Sequence, residues 1–332
     1  MNNRERFLSS IKPLTIAATI FGVFPLKIKT REENSKLSYV RIFYGLCFSF
    51  FMSGYTFYRY FFIEHYKLSL SENYLFKFSS VAYPILFLVN CLSFFGHVKS
   101  YSKLIDEILK YSNVLQSKKF YFKIFWVTFA EVFYIFIILL SYNLAFFIAF
   151  PFMFYGSLPI VDKINDVFIK FSIALINFQQ SNLLIFLYKM FVHINEKIIN
   201  LEKVKLFTPK CKYTFLYQSK MKVSPVLQLM QEQSDLKPLI DLYCEVCESC
   251  KILNSVFGGS ASTTATYILL TLVMNFYYIV RGQADLVMSI IIIGSSILQQ
   301  WFLLFTCDLV VKEVKLNCEE REGIEKKLPD QN

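Results

Sequence analysis

The side chains best able to do chemistry in this sequence are three cysteines spaced C-x2-C-x2-C, at Cys244, Cys247 and Cys250. An iron–sulfur run of this kind continues with x3-C, and position 254 is Asn254. On a helix the three thiols spread over more than one ligand's arc, and a zinc site would need a fourth ligand from elsewhere. They read as packing or lipidation cysteines. The three histidines, His65, His97 and His193, fall near the ends of different apolar stretches, and no H-E-x-x-H pattern occurs. Gly258-Gly259-Ser260 looks like a nucleotide loop only superficially. Opening an apolar stretch, it reads as a place where two helices approach closely. Phosphate loops, dinucleotide fingerprints and nucleophile elbows are absent from the sequence. No enzyme activity, metal or cofactor is expected.

A second group of residues is unreactive but lies where hydrocarbon penalises polarity. Asn177, Gln179, Gln180, Ser181 and Asn182 sit in the middle of one apolar stretch, with Lys170 towards its outer end. Others carry Glu131, Ser141 and Asn143, then Thr263, Thr264, Thr266, Asn275, Tyr277 and Tyr278, then Gln299 and Gln300. Glu131 and Lys170 fall at opposite depths, so no pair is expected between them. Any one of these could be an interhelical hydrogen bond, worth about 0.6 kcal/mol. Together they predict a polar interior, either a solvated cavity or a permeation path.

The elements that must hold these residues are membrane helices. A hydrocarbon core of about 30 Å needs roughly 20 apolar residues in helix. Six stretches qualify, over 37–63, 74–97, 124–150, 164–191, 256–280 and 286–311. The composition agrees: 55% of residues are hydrophobic and 18% charged, against about 25% charged in soluble domains. The fold class is therefore an all-α integral membrane protein of about six transmembrane helices.

The net charge of +10 reads as the basic bias of cytoplasmic loops rather than as nucleic-acid binding. Residues 1–36, 98–123, 192–255 and the tail from Lys312 carry seven, six, nine and five Lys and Arg. The other three connections carry one each, Lys67, Lys163 and Arg281. Perfect alternation puts both termini in the cytoplasm. The expected organisation has three parts. Residues 1–36 are a cytoplasmic N-terminal segment with a short interfacial helix over 14–26. Residues 37–311 are the six-span domain, with a cytoplasmic helical extension around 192–255. Residues 312–332 are a charged cytoplasmic tail. The run over 14–26 resembles a signal peptide, but Pro25 ends it and Lys27, Lys29 and Arg31 follow. Two amphipathic stripes lie in the basic connections. Tyr101, Leu104, Ile105, Ile108 and Leu115 form one; Leu236, Leu239, Ile240, Tyr243, Val246, Cys250, Leu253 and Phe257 form the other.

The chain resembles the insect gustatory receptors, a chemoreceptor family related to the odorant receptors. The N-terminal I-K-P-L-T-I-A-A-T-I-F-G-V-F-P-L, with Pro13, Gly22 and Pro25, is similar to the family's motif before span one. Leu253-Asn254 and Phe257-Gly258 resemble its L-N-x-x-F-G pattern, and Cys307 with Glu313 resemble its Cys and downstream Glu. Family members carry a seventh span with a terminal T-Y-x5-Q-F, and this sequence shows neither. The resemblance implies a ligand-gated cation channel subunit in the plasma membrane of sensory neurons. Its partners would be a small-molecule tastant, the lipid bilayer and other receptor subunits in a homo- or hetero-oligomer. From depth in the membrane, Tyr83, Tyr142, Asn143, Phe146, Asn177, Tyr277 and Tyr278 are the expected ligand-lining residues. The alternatives are a non-conducting subunit that modulates complete receptors, or an unrelated multispan transporter.

Overall fold

Lipid offers no partner to a backbone amide, so a long apolar segment must satisfy its own N–H and C=O groups as a helix. The computed structural model describes residues 3–27, 36–62, 70–112, 118–153, 160–207, 225–280 and 286–325. Among them are eight helices: α1 (Asn3–Ile20), α2 (Tyr39–Phe62), α3 (Leu70–Gly96), α4 (Val98–Tyr111), α5 (Lys118–Met153), α6 (Ile160–Phe207), α7 (Pro225–Val280) and α8 (Leu286–Glu325). Two short strands, β1 (Leu26–Lys27) and β2 (Lys36–Leu37), pair antiparallel, Leu26 opposite Leu37.

Each expected span falls on a helix, α2, α3, α5, α6, α7 and α8 in turn. By length and apolarity, four segments among the described residues qualify alone: Lys119–Ile137, Phe168–Ile199, Pro238–Tyr277 and Ile293–Val314. A fifth arises if Val81–Gly96 and Val98–Tyr111, bent by 60°, count as one broken span. Among the described residues this criterion finds four or five spans where the sequence predicts about six. The difference includes α2, whose tyrosines, serines and first-turn Arg41 dilute its apolarity. The all-α membrane architecture is unchanged.

The chain forms two compact units. The first comprises Met1–Leu183 and Ile252–Cys307. Within it α1 packs on α5, and α2 on α3. The N-terminal helix expected over 14–26 occupies Asn3–Ile20 instead. Phe7, Ile11, Leu14 and Ala18 recur at i, i+4, i+7 and i+11 and are buried. Thr128 Oγ1 on α5 donates to the Ser10 carbonyl at 2.7 Å. The chain then turns at Gly22, whose φ of +71° suits glycine. A Cβ on Gly45 of α2 would run into the Gly22 carbonyl and the Phe95 ring, so the two glycines set this crossing. Arg41 on α2 donates to the Leu26 carbonyl.

The stripe on α4 buries Tyr101, Leu104, Ile105 and Ile108, joined by Leu109 and Tyr111; Leu115 lies outside the described residues. Helix α7 meets α3 at Gly259, where a Cβ would overlap the Ser93 hydroxyl. Asn90 on α3 is buried there, donating to Thr264 at 3.1 Å and accepting from Ser260.

The second unit comprises Leu184–Lys251 and Asp308–Asn332. Phe191 and Tyr243 meet edge to face, with ring centroids 5.6 Å apart. Asn195 Nδ2 on α6 donates to Glu313 Oε1 on α8 at 2.6 Å. Of the second stripe, Leu239, Tyr243 and Val246 are buried in this unit and Leu253 and Phe257 in the first, while Ile240 is exposed and the Leu236 side chain lies outside the described residues.

Candidate functional site

The middle of α6 is buried all round. Every residue from Phe171 to Leu184 is buried, including Ser172, Asn177, Gln179, Gln180, Ser181 and Asn182. A polar side chain in such a place needs a partner, because an unmet buried group costs about 1–3 kcal/mol. At 100° per residue the belt divides into two faces. Gln179 and Asn182, at i and i+3, share one. Gln179 Nε2 donates to the Val23 carbonyl at 3.1 Å, and its Oε1 accepts from Tyr101 Oη at 2.9 Å. One amide thus ties α6 to α4 and to the turn after α1. Asn182 Nδ2 donates to Glu131 Oε2 on α5 at 2.5 Å and to the Phe178 carbonyl at 2.8 Å.

Asn177, Gln180 and Ser181, at i, i+3 and i+4, share the opposite face. Here no partner is present among the described residues for either amide atom of Asn177, for Gln180 Oε1 or for Ser181 Oγ. These are buried acceptors and donors with no protein partner among the described residues. A small molecule or water offering complementary groups would relieve that cost.

Of the residues expected to line a ligand, Asn177 is this face's central member. Tyr83 on α3 is half-buried, its ring 5.1 Å from that of Tyr267 on α7. Tyr277 on α7 is half-buried. Tyr142, Asn143 and Phe146 on α5, and Tyr278 on α7, have side chains outside the described residues. The amide of Asn177 makes no hydrogen bond to Tyr83 or Tyr277. Depth reasoning missed the Glu131–Asn182 and Tyr101–Gln179 pairs. Their signal was present, since each is a polar or amphipathic residue needing a partner at the same level.

Cys244, Cys247 and Cys250 lie on one helix, Cys244 exposed and the others half-buried. No three His, Cys, Asp or Glu among the described residues come together as a metal site. His65 lies outside the described residues.

The deciding comparison is with protein families. The family model for 7tm chemosensory receptors matches residues 11–321. This chain belongs to the 7tm chemosensory receptor family. No curated protein matches it. The match begins inside α1 and ends inside α8, so it takes in both faces of α6 and the buried N-terminal helix. The chain is thus a multi-pass membrane chemoreceptor, and the face of α6 that carries Asn177, Gln180 and Ser181 lies within the matched residues.

Proposed function

We propose that this chemoreceptor is of the gustatory type, a subunit of a ligand-gated cation channel that detects small organic tastants at the plasma membrane of sensory neurons. Its subunits assemble as homo- or hetero-oligomers, and both its termini lie in the cytoplasm. The tastant binds among Tyr83, Tyr142, Asn143, Phe146, Asn177, Tyr277 and Tyr278. Aromatic faces supply contact area, and amides fix orientation. Binding shifts the gate only as far as the tastant prefers the open state.

The observation that carries this reading is the unmet face of α6. Asn177 keeps a donor and an acceptor free at 2% exposure, an arrangement costly to the empty protein and favourable to a ligand with matching groups. The test is ligand-evoked current in cells lacking receptors of their own, with the chain expressed alone and with other family subunits. Asn177→Leu is expected to raise the half-maximal tastant concentration by about ten-fold or more while surface expression holds. Unchanged dose–response curves for substitutions at all seven positions would remove the site. Surface-expressed protein giving no current in any combination would remove the channel reading.

A further inference from the structure

One face of α5 carries a feature outside the proposed tastant site. Phe122, Trp126, Phe129 and Phe133 follow one another at i, i+4, i+7 and i+11, and all are exposed, so they form a single stripe. Their rings meet in series, with centroids 6.1, 5.8 and 6.0 Å apart. Exposed Phe136 continues the stripe one turn further. At its foot Lys119 and Lys123 are exposed at i, i+4 spacing, and neither has an acidic partner among the described residues. The one acidic residue in the sequence of α5 is Glu131, which is buried against Asn182. From Lys119 to Phe133 the helix rises about 21 Å, enough for a headgroup and an acyl chain of one leaflet in a core of about 30 Å.

We propose that this face of α5 binds an acidic glycerophospholipid, its phosphate between Lys119 and Lys123 and one acyl chain laid along the aromatic ladder. Charge complementarity selects the occupant. A zwitterionic lipid leaves the two cations without net compensation. A second copy of the chain meeting this face with its own would share its orientation in the bilayer. Its lysines would then lie at the same depth, cation against cation.

The sequence has two tryptophans, Trp126 and Trp301, which makes Trp126 a reporter. Full-length Trp301→Phe protein is placed in phosphatidylcholine vesicles containing a fixed fraction of brominated phosphatidylglycerol or brominated phosphatidylcholine. The acidic quencher is expected to win by about five-fold per lysine. That preference should fall as salt rises and be lost in Lys119→Gln/Lys123→Gln, exposed changes that leave the helical circular dichroism intact. Trp126→Phe protein, reporting from Trp301, should show no preference. Equal quenching by the two lipids overturns the proposal, as does a preference that survives the double substitution. Quenching by neither lipid also overturns it, since protein would then cover the ladder.

Discussion

A carboxyl group at membrane depth is expensive, and α6 delivers the amide of Asn182 to one oxygen of Glu131 at 2.5 Å, while the other oxygen has no partner among the described residues. Asn182→Ala removes that donor and should destabilise the protein by about 0.6–1.7 kcal/mol, the range for hydrogen bonds between membrane helices. Gly45→Ala should cost more, about 1–3 kcal/mol. Its new methyl meets a backbone carbonyl and the Phe95 ring, and the carbonyl belongs to a glycine already in a left-handed turn. Thermal unfolding in detergent ranks the two, and a Gly45→Ala protein as stable as the parent would show that α2 does not cross there. At this scale the sequence was only partly legible. That Asn177, Gln179 and Asn182 had to matter was visible, because hydrocarbon makes each amide conspicuous. Which face each one served was not visible, because partner choice depends on the rotation of α6, and its apolarity on every side gives no phase. The Glu131–Asn182 pair shows the gap: the two residues are 51 positions apart, and only packed helices bring them level.

Among elements, helix existence was the most readable property. The expected spans over 74–97 and 286–311 lie on α3 and α8, whose starts, Leu70 and Leu286, fall within a few residues. Helices α6 and α7 run beyond the expected spans because hydropathy marks where lipid is tolerated, whereas helical hydrogen bonding continues wherever an amphipathic stripe can be buried, as with Ile194 and Ile198 on α6 and Leu239, Tyr243 and Val246 on α7. The start of α1 was missed for the converse reason. Its first turns hold Arg4, Glu5 and Arg6 and look soluble, yet Phe7 and Ile11 are buried. The approach of α3 and α7 can be tested directly. A Cβ built on Gly259 lies 3.4 Å from that of Ser93, close to the mean Cβ separation of about 3.8 Å in disulfides. Ser93→Cys/Gly259→Cys should therefore cross-link under mild oxidation, holding together the fragments produced by cleavage between the helices, while Ser93→Cys alone should not. Failure of the pair to form would place Gly259 away from α3 and remove the role assigned to Asn90, which bonds both Ser260 and Thr264 across the same seam.

For the molecule as a whole, the governing quantity is the sidedness of its charge. Packing cannot supply this, because a helical bundle is equally well packed either way up. Lysine and arginine decide it, since basic loops are retained in the cytoplasm. Residues 1–36 carry seven such residues and the stretch over 192–255 carries nine, while the connections that hold Lys67, Lys163 and Arg281 between the apolar stretches carry one each. An inward N-terminus is thus the expectation, and it is opposite to that of receptors whose chain begins outside. An epitope placed at the N-terminus should be labelled by antibody only after cells are permeabilised, and one inserted in the connection between α5 and α6 should be labelled on intact cells. Reversing the charge of Lys27, Lys29 and Arg31 together should weaken this preference without touching the buried face of α1, since Phe7, Leu14 and Ala18 do the packing there. Labelling of the N-terminal epitope on intact cells would invert the molecule. It would also carry the aromatic ladder of α5 and its two lysines to the opposite leaflet, where acidic lipids are scarce in cells, and so separate what α5 can bind in vesicles from what it meets in a membrane.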